Sequence, residues 1–293
     1  MSPENWYLTE DLDEFLARAG DFLHSRPALH TVPLTVTDAL RRRGPHIYGP
    51  EAPVFGILPA AGGGPDGGGP IRAVLLHTLP FPVHVTPLTP DEADALAARL
   101  ADLDHPVPGI SAARETAEAF AAAWQRRTGA AGSVRQRQRL YRLAELTVPE
   151  PRPAGRARIA DQGDRELLAR WYGAFHDDVG TSRGQDPGEW ADARLAHDGA
   201  TLWETPDGTP VSLAGVTPRI AGQVRIAPVY TPAELRGRGY AGAATAAASR
   251  AAREAGATEV VLFTDLANPT SNGLYQRIGY RPVTDFAVWG FGG

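Results

Sequence analysis

Cysteine is missing from the 293-residue sequence, and so is lysine: all 29 basic residues are arginine. The first absence removes disulfides, thiolate metal ligands and any cysteine nucleophile. The second removes Schiff-base chemistry and the lysine of a phosphate-binding P-loop. Long apolar runs are also missing. No stretch reaches the ~18 to 20 apolar residues that a membrane helix needs. The amino-terminal segment through Phe15 is acidic where a secretion signal would be basic and then apolar. The chain is therefore expected to be cytoplasmic, with no membrane partner. Concentrated positive charge is scarce, because 29 basic against 34 acidic residues leave a net charge of −5. The short basic runs at Arg41–Arg43 and Arg135–Arg142 are too slight for a nucleic-acid footprint, so a cationic ligand suits the chain better.

What remains is enough to fold. The apolar fraction is 43%, largely alanine, which is far from a disordered composition. The length favours two domains. Prolines alternate with other residues from Val148 to Gly155, which favours an extended connector. The expected domains are 1–150 and 155–293. A second glycine-rich break, Gly62 to Pro70, reads as a flexible hairpin loop between apolar runs at 54–59 and 71–76. It lacks the Gly-Lys-Ser/Thr ending of a phosphate loop.

In the first half, helical spacing predicts a helix over Asp11 to Leu23, followed by strands at 54–58, 71–76 and 83–88. Thr89, Pro90 and Glu92 form a capping-box pattern that opens the next helix. A further helix is expected over 111–127 and a strand over 140–148. The second half repeats that order: a helix over 164–175, strands at 201–204, 211–216 and 223–229, and an alanine-rich helix over 239–255. A strand at 259–264, a short helix at 270–278 and a last strand at 283–289 complete it. The expected class is α/β, an α+β mixed sheet. An internal duplication is a hypothesis, since the two halves match poorly in register.

The strongest local signal runs from Val229 to Ala241, where a strand passes through Arg236, Gly237, Arg238 and Gly239 into a helix. Glycines let a backbone approach a pyrophosphate closely. The unpaired amides of a first helical turn point at its oxygens, and the helix dipole favours negative charge. Gly237, Gly239 and Gly242 also spell G-x-G-x-x-G, but Pro232 and other residues separate the strand from the first glycine, which disfavours a dinucleotide fold. The eight histidines are scattered without ligand spacing, and no G-x-S-x-G turn is present. His77 and His84, on strand-like sequence, are expected to be structural.

At Arg236-x-x-Gly239-x-Ala241 the sequence resembles the GNAT superfamily of N-acetyltransferases, whose acetyl-CoA loop follows Gln/Arg-x-x-Gly-x-Gly/Ala. The segment from Asn268 through Tyr275 to Gly279 and Tyr280 resembles the family's second motif. The resemblance covers about residues 155–290. It implies a GNAT-like fold there, with a degenerate, similarly ordered amino-terminal domain lacking loop glycines, and it implies acetyl-CoA as cosubstrate. The backbone of Val229, Tyr230 and Thr231 would hold the pantetheine arm and thioester carbonyl. Amides from Arg236, Gly237, Arg238, Gly239, Tyr240 and Ala241 would hold the pyrophosphate. Asn268, Ser271 and Asn272 would meet the pantetheine or fix the start of the short helix.

Tyr275 is the implied general acid for the departing thiolate. The general base is not evident, with Asp265, Glu204 and Asp177 as candidates acting through water. The stretch Trp171 to Trp190 lies where the family builds its acceptor wall. The expected activity is direct transfer of acetyl to a primary amine on a small molecule or peptide. The alternative is a non-catalytic acyl-CoA sensor or interaction module. Oligomeric state is open, a homodimer included.

Overall fold

Runs of branched and aromatic residues become strands and the alanine-rich stretches become helices in the computed structural model, which describes residues 6–60, 69–180 and 184–292. Most of the glycine-rich segment read as a hairpin loop, residues 61–68, lies outside the described residues, as do residues 1–5 of the acidic amino-terminal segment. The chain divides into two compact units. Unit 1 comprises 1–140, 265–267 and 284–293, and unit 2 comprises 141–264 and 268–283. No helix among the described residues is long and apolar enough to cross a membrane.

Unit 1 contains β1 (Tyr7–Thr9), α1 (Leu12–Ser25), α2 (Thr31–Arg43), β2 (Val54–Pro59), β3 (Ile71–His77), β4 (Val83–Val85), α3 (Pro90–Asp102), β5 (Gly109–Ala113), α4 (Arg114–Thr128) and most of β6 (Gly132–Leu143). Strands β1 to β4 pair antiparallel in sequence order, β4 and β5 run parallel, and β5 takes residues 286–290 as an antiparallel neighbour. Alternation along β2 sends Phe55 to one face, where it stacks on Phe15 of α1 at 4.9 Å. Leu58 goes to the other face, into a core with Leu96 and Leu100 of α3 and Phe120 and Trp124 of α4. Each of these fully buried side chains contributes on the order of 2 kcal/mol.

Unit 2 contains β7 (Arg156–Ile159), α5 (Arg165–Val179), α6 (Pro187–Leu195), β8 (Ala200–Glu204), β9 (Pro210–Val216), β10 (Gln223–Tyr230), α7 (Tyr240–Glu254), β11 (Glu259–Asp265), α8 (Pro269–Ile278) and the start of β12 (Tyr280–Phe291). Its sheet runs β7-β8-β9-β10-β11, antiparallel except for the parallel β10–β11 pair. The alanines of α7 let that helix lie close on Trp203, Ala214, Ile226 and Val260. Helices α5 and α6 bury Trp171, Tyr172 and Trp190 with Leu202 and Leu213. Helix α8 stops at Gly279, which has φ +108°, and a Cβ there would lie 1.8 Å from the Glu145 carbonyl oxygen. The fold is a mixed α/β one, as expected from the sequence.

The differences from expectation are local. Residues 111–113, expected to start a helix, instead complete β5, because both edges of this small-residue segment find sheet partners. A Cβ on Gly109 would lie 2.1 Å from the Trp289 carbonyl oxygen, so only glycine permits that pairing. Helix α2 was not anticipated, since its threonines and two valines favour helix weakly. Its turns are reinforced where Thr35 and Thr37 hydroxyls donate to the carbonyls of Thr31 and Pro33, both at 2.7 Å. Strand β6 begins at Gly132, not at Leu140, because its first half alternates arginine and glutamine with little apolar signal.

Candidate functional site

In unit 2 the parallel ladder between β10 and β11 stops early. Its register pairs Gln223, Val224 and Arg225 with Glu259, Val260 and Val261 and goes no further, although β10 continues to Tyr230. On its other edge β10 carries a register shift between Ile226 and Val229 before Val229 and Tyr230 pair with Ala214 and Leu213 of β9. Pro228 falls inside this irregular stretch and has no amide to give either neighbour. The strand thus opens a wedge whose β11-facing edge, from Ile226 to Tyr230, is left without a ladder. The Ser212 hydroxyl fixes the end of the wedge by donating to the Tyr230 carbonyl at 3.0 Å, and it also lies 2.9 Å from Thr231 Oγ1.

Beyond the wedge the chain crosses an exposed turn into α7. Gly237 has φ +78° and Gly239, the residue that precedes the helix, has φ +84°. These left-handed conformations suit glycine and set successive amides facing outward. Among the described residues, the amides of Gly237, Arg238, Gly239, Tyr240, Ala241 and Gly242 have no acceptor in the protein. No side chain caps the helix, and its first turn carries no acid. A helix end of this kind, with the positive pole of its dipole uncovered, is built for an anion. The two arginines of the turn face their own loop. Arg236 Nε donates to the Thr231 carbonyl at 2.9 Å and its Nη2 pairs with Asp178, while Arg238 Nη2 donates to the Glu234 carbonyl at 3.1 Å.

Helix α8 starts at Asn268, whose Oδ1 accepts from the Ser271 amide at 2.9 Å. Asn272 Nδ2 donates to the Asn268 carbonyl at 2.8 Å, and its Oδ1 accepts from the Tyr141 hydroxyl at 2.9 Å. Tyr141 Oη in turn accepts from Gln276 Nε2 at 3.1 Å. Fully buried Tyr141, far away in sequence, therefore fixes this helix, a role that no local pattern signalled. Both asparagines serve the helix itself.

Tyr275 points into the same core, with its ring edge-on to Tyr280 at 6.1 Å. Burial pushes its hydroxyl up to about 12, because the phenolate would lose its hydration. That hydroxyl carries no hydrogen bond among the described residues. Tyr280, also raised by burial, is by contrast held 2.7 Å from Ser249 Oγ. A protonated phenol without a protein partner is equipped to donate.

The stretch from Trp171 to Trp190, of which residues 181–183 lie outside the described residues, behaves differently from expectation. Trp171, Tyr172 and Trp190 are core residues, Tyr172 stacking on Trp190 at 4.6 Å. Only the end of α5, with half-buried Phe175 and His176 and exposed Asp177 and Asp178, is open. Burial and the Asp178 charge raise the hydroxyl of Tyr230, whose ring lies 6.0 Å from that of Trp171. Glu204 is closed inside a pair of ion contacts, and Arg158 foremost, with Arg156, holds its carboxyl below the usual range. That leaves it a poor proton acceptor near neutrality. Asp265 Oδ1 accepts from the Ala267 amide at 2.8 Å.

A family model described as the acetyltransferase (GNAT) family matches residues 165–280, a span that holds the wedge, the open end of α7 and Tyr275. No curated protein matches the chain. Among solved structures, a GCN5-related N-acetyltransferase from Sphaerobacter thermophilus superposes with a TM-score of 0.61 at 18% identity, over 99% of this chain and 96% of that one. An acetyltransferase from the GNAT family from Colwellia psychrerythraea gives 0.58 at 10% identity, over 98% of each chain. A tandem GNAT protein from the clavulanic acid biosynthesis pathway gives 0.56 at 14% identity, over 97% and 98%. At these identities the likeness is one of fold, and it extends over both halves of the chain.

Proposed function

We propose that the protein is an acetyl-CoA-dependent N-acetyltransferase that moves an acetyl group to a primary amine by direct attack in a ternary complex, a reading supported by the match of residues 165–280 to the acetyltransferase (GNAT) family model. Residues 155–293 carry the transfer, and residues 1–150 act as a degenerate support domain. The observation that supports this most is the run of unsatisfied amides from Gly237 to Gly242 at the uncovered positive end of α7. That run fits a pyrophosphate.

The cosubstrate supplies an acetyl group activated as a thioester. Amides of Gly237 to Ala241 hold the pyrophosphate, and the unladdered edge of β10 at Val229, Tyr230 and Thr231 offers backbone groups to the amides of the pantetheine arm and to the thioester carbonyl. A donor aimed at that carbonyl acts on charge that grows only in the transition state, so it accelerates the reaction and does not merely tighten binding. The amine nitrogen forms a bond to the carbonyl carbon, the carbon–sulfur bond breaks, and Tyr275 gives its proton to the departing thiolate. Its raised value, about 12, keeps that proton in place throughout the neutral range. An ammonium acceptor must lose a proton first. With Glu204 held by two arginines, Asp177 at the open end of α5 and Asp265 remain as water-mediated routes. Exposed Asp177 and Asp178 beside half-buried aromatic rings suit a cationic acceptor, whether small molecule or peptide.

The test separates binding from turnover. Tyr275→Phe is expected to keep acetyl-CoA affinity within about twofold while kcat falls by roughly a hundredfold. Unchanged turnover across several amines would remove Tyr275 from the acid role. The engagement of Glu204 favours one second reading, a non-catalytic acyl-CoA sensor, for which acetyl-CoA would bind but no amine would be consumed.

A further inference from the structure

A single guanidinium spans the end of the wedge strand and the end of α5. From the turn before α7, Arg236 Nε donates to the Thr231 carbonyl at 2.9 Å while its Nη2 pairs with Asp178. Trp171, Phe175 and Asp178 follow at helical spacing and share one face of α5. That face meets β10, since the Trp171 ring lies 6.0 Å from that of Tyr230. Burial first and then the Asp178 charge raise the Tyr230 hydroxyl, the Arg236 charge lowers it, and the Glu234 charge raises it again. Two acids and one guanidinium therefore surround the phenol at the end of the unladdered edge. The ion pair itself contributes little to stability, because both of its side chains are about half exposed. The turn has a tie of its own, the Arg236 amide donating to the Ala233 carbonyl at 3.3 Å. What the pair does is seat a cation on a carboxylate at the place where the acceptor would enter.

We propose that Arg236 is a built-in stand-in for a second cationic group of the acceptor, so that Asp178 selects diamines, amines that carry a positive charge apart from the reacting nitrogen. This rests on the acetyl-transfer reading above. Chemistry separates the two nitrogens. The reacting one must be neutral to attack, and a carboxylate against it would favour its ammonium form and hold it back. A remote ammonium has no such conflict. It stays charged near neutrality, replaces the guanidinium at Asp178, and gains from the aromatic rings of Tyr230 and Phe175. Arg236 holds Asp178 and the Thr231 carbonyl at once. A group anchored on that carboxylate therefore lies within the reach of one guanidinium of the strand edge proposed to hold the thioester. A short aliphatic chain between two nitrogens fits that span.

The experiment compares putrescine, butylamine and aminobutanol as acceptors for the full-length protein. They share one chain length and differ at the far end, which is an ammonium, a methyl or a hydroxyl. Acetyl-CoA consumption is followed at low and at high salt. The wild type is expected to use putrescine with kcat/KM about fivefold to tenfold above either control, beyond the statistical advantage of its two equivalent ends. That preference should shrink as salt screens it. Asp178→Asn should bring the ratio to about one, chiefly through KM, and Asp178→Glu should keep part of it. Arg236→Gln removes the competing cation, so it should raise the ratio, by about threefold. The two members of the pair thus act in opposite directions. A tie that only held α5 against the turn would make both variants lower all three amines together and leave the ratio where it was. That result, or equal use of the three amines by the wild type, would overturn the proposal with acetyl transfer intact. If the wild type acetylates none of them, the acetyl-transfer reading falls and takes this specificity with it.

Discussion

Helix α3 begins after a threonine and α7 after a glycine, and the amides that every helix end leaves over meet different fates at the two. At α3 the Glu92 amide donates to Thr89 Oγ1 at 3.3 Å, and Glu92 Oε2 accepts from the Thr89 amide at 2.8 Å. Pro90 has no amide to satisfy, and Arg72 backs the Glu92 carboxylate at 2.9 Å. Unit 1 thus places its own anion on the positive end of its helix. At α7 there is no cap, no acid and no proline, and the amides from Gly237 to Gly242 stay open. An incoming phosphate would have to displace Glu92 from α3, whereas at α7 it would replace only water. The repeated order of elements supplies a helix pointing out of a sheet in each unit, and three or four residues at its end decide whether it can serve a ligand.

The sharpest way to break the contrast is to give α7 an anion of its own. Ala241 occupies the first turn of that helix and is half-buried. Ala241→Glu would bring a carboxylate to the same amides and set it against the pyrophosphate. Acetyl-CoA affinity is expected to fall by about two to three orders of magnitude, and turnover at low acetyl-CoA with it. Helix stability should change little, because an acid in the first turn favours the helix. Calorimetry and thermal unfolding of one sample read both. Undiminished affinity would show that the open end of α7 is not where phosphate sits.

A second contrast lies in proton chemistry. In unit 1, His77 Nε2 is 3.0 Å from the Phe81 carbonyl and so donates, which leaves Nδ1 to accept from His105 Nε2 at 2.7 Å. Burial and then the His105 charge push His77 down to about 4. Its folded state prefers the neutral ring while the unfolded chain titrates near 6.5. The stabilisation is complete above pH ~6.5 and is lost as pH falls toward 4, amounting to about 3 kcal/mol. In unit 2, Tyr275 sits at about 12 against 10 in the unfolded chain, so its contribution of about 3 kcal/mol is present below pH ~10 and lost as pH rises toward 12. Hydrogen exchange followed by mass spectrometry should show unit 1 opening first in acid and unit 2 first in alkali. His77→Gln should flatten the acid limb. Identical pH profiles for the two units would defeat the contrast.

How much of this could be read from the chain depended on whether the cause was local. The Thr89 capping box, the glycine turn before α7 and the Gly279 stop were all visible, because each is written within a few residues. Strand β5 was hidden, since its pairing partner at 286–290 follows far along the chain. The ion pairs that engage Glu204 and Arg236, and the hydroxyl of Tyr141 that fixes α8, likewise depend on residues distant in sequence. The aromatic stretch of α5 and α6 was misjudged for another reason. Leu168, Trp171 and Tyr172 have the three- and four-residue spacing of a buried helical face, and in a core helix large rings serve packing before they serve a ligand.

The smallest effect tests the comparison from the unit 1 side. Thr89→Ala with Glu92→Gln removes the capping hydroxyl and the carboxylate while keeping an amide that can still reach the Thr89 position's backbone. Loss of a cap of this kind costs about 1 kcal/mol. Thr89 is exposed and Glu92 half-buried, and neither belongs to the core of Leu96, Leu100 and Phe120, which should stay intact. Under the proposed support role of unit 1, turnover and acetyl-CoA affinity of the whole protein should remain within about twofold of wild type. Uncovering the α3 amides should also create no second acetyl-CoA site, because β4 and β5 are paired at Val83 and His84 with Ile110 and Ser111 through most of the short length of β4. Neither ladder of β4 carries a register shift like the one that opens β10. A stoichiometry of two in the double variant would mean that the capping box alone kept unit 1 from binding. A stoichiometry of one would mean that an open helix end is insufficient without a strand edge to receive the rest of the ligand.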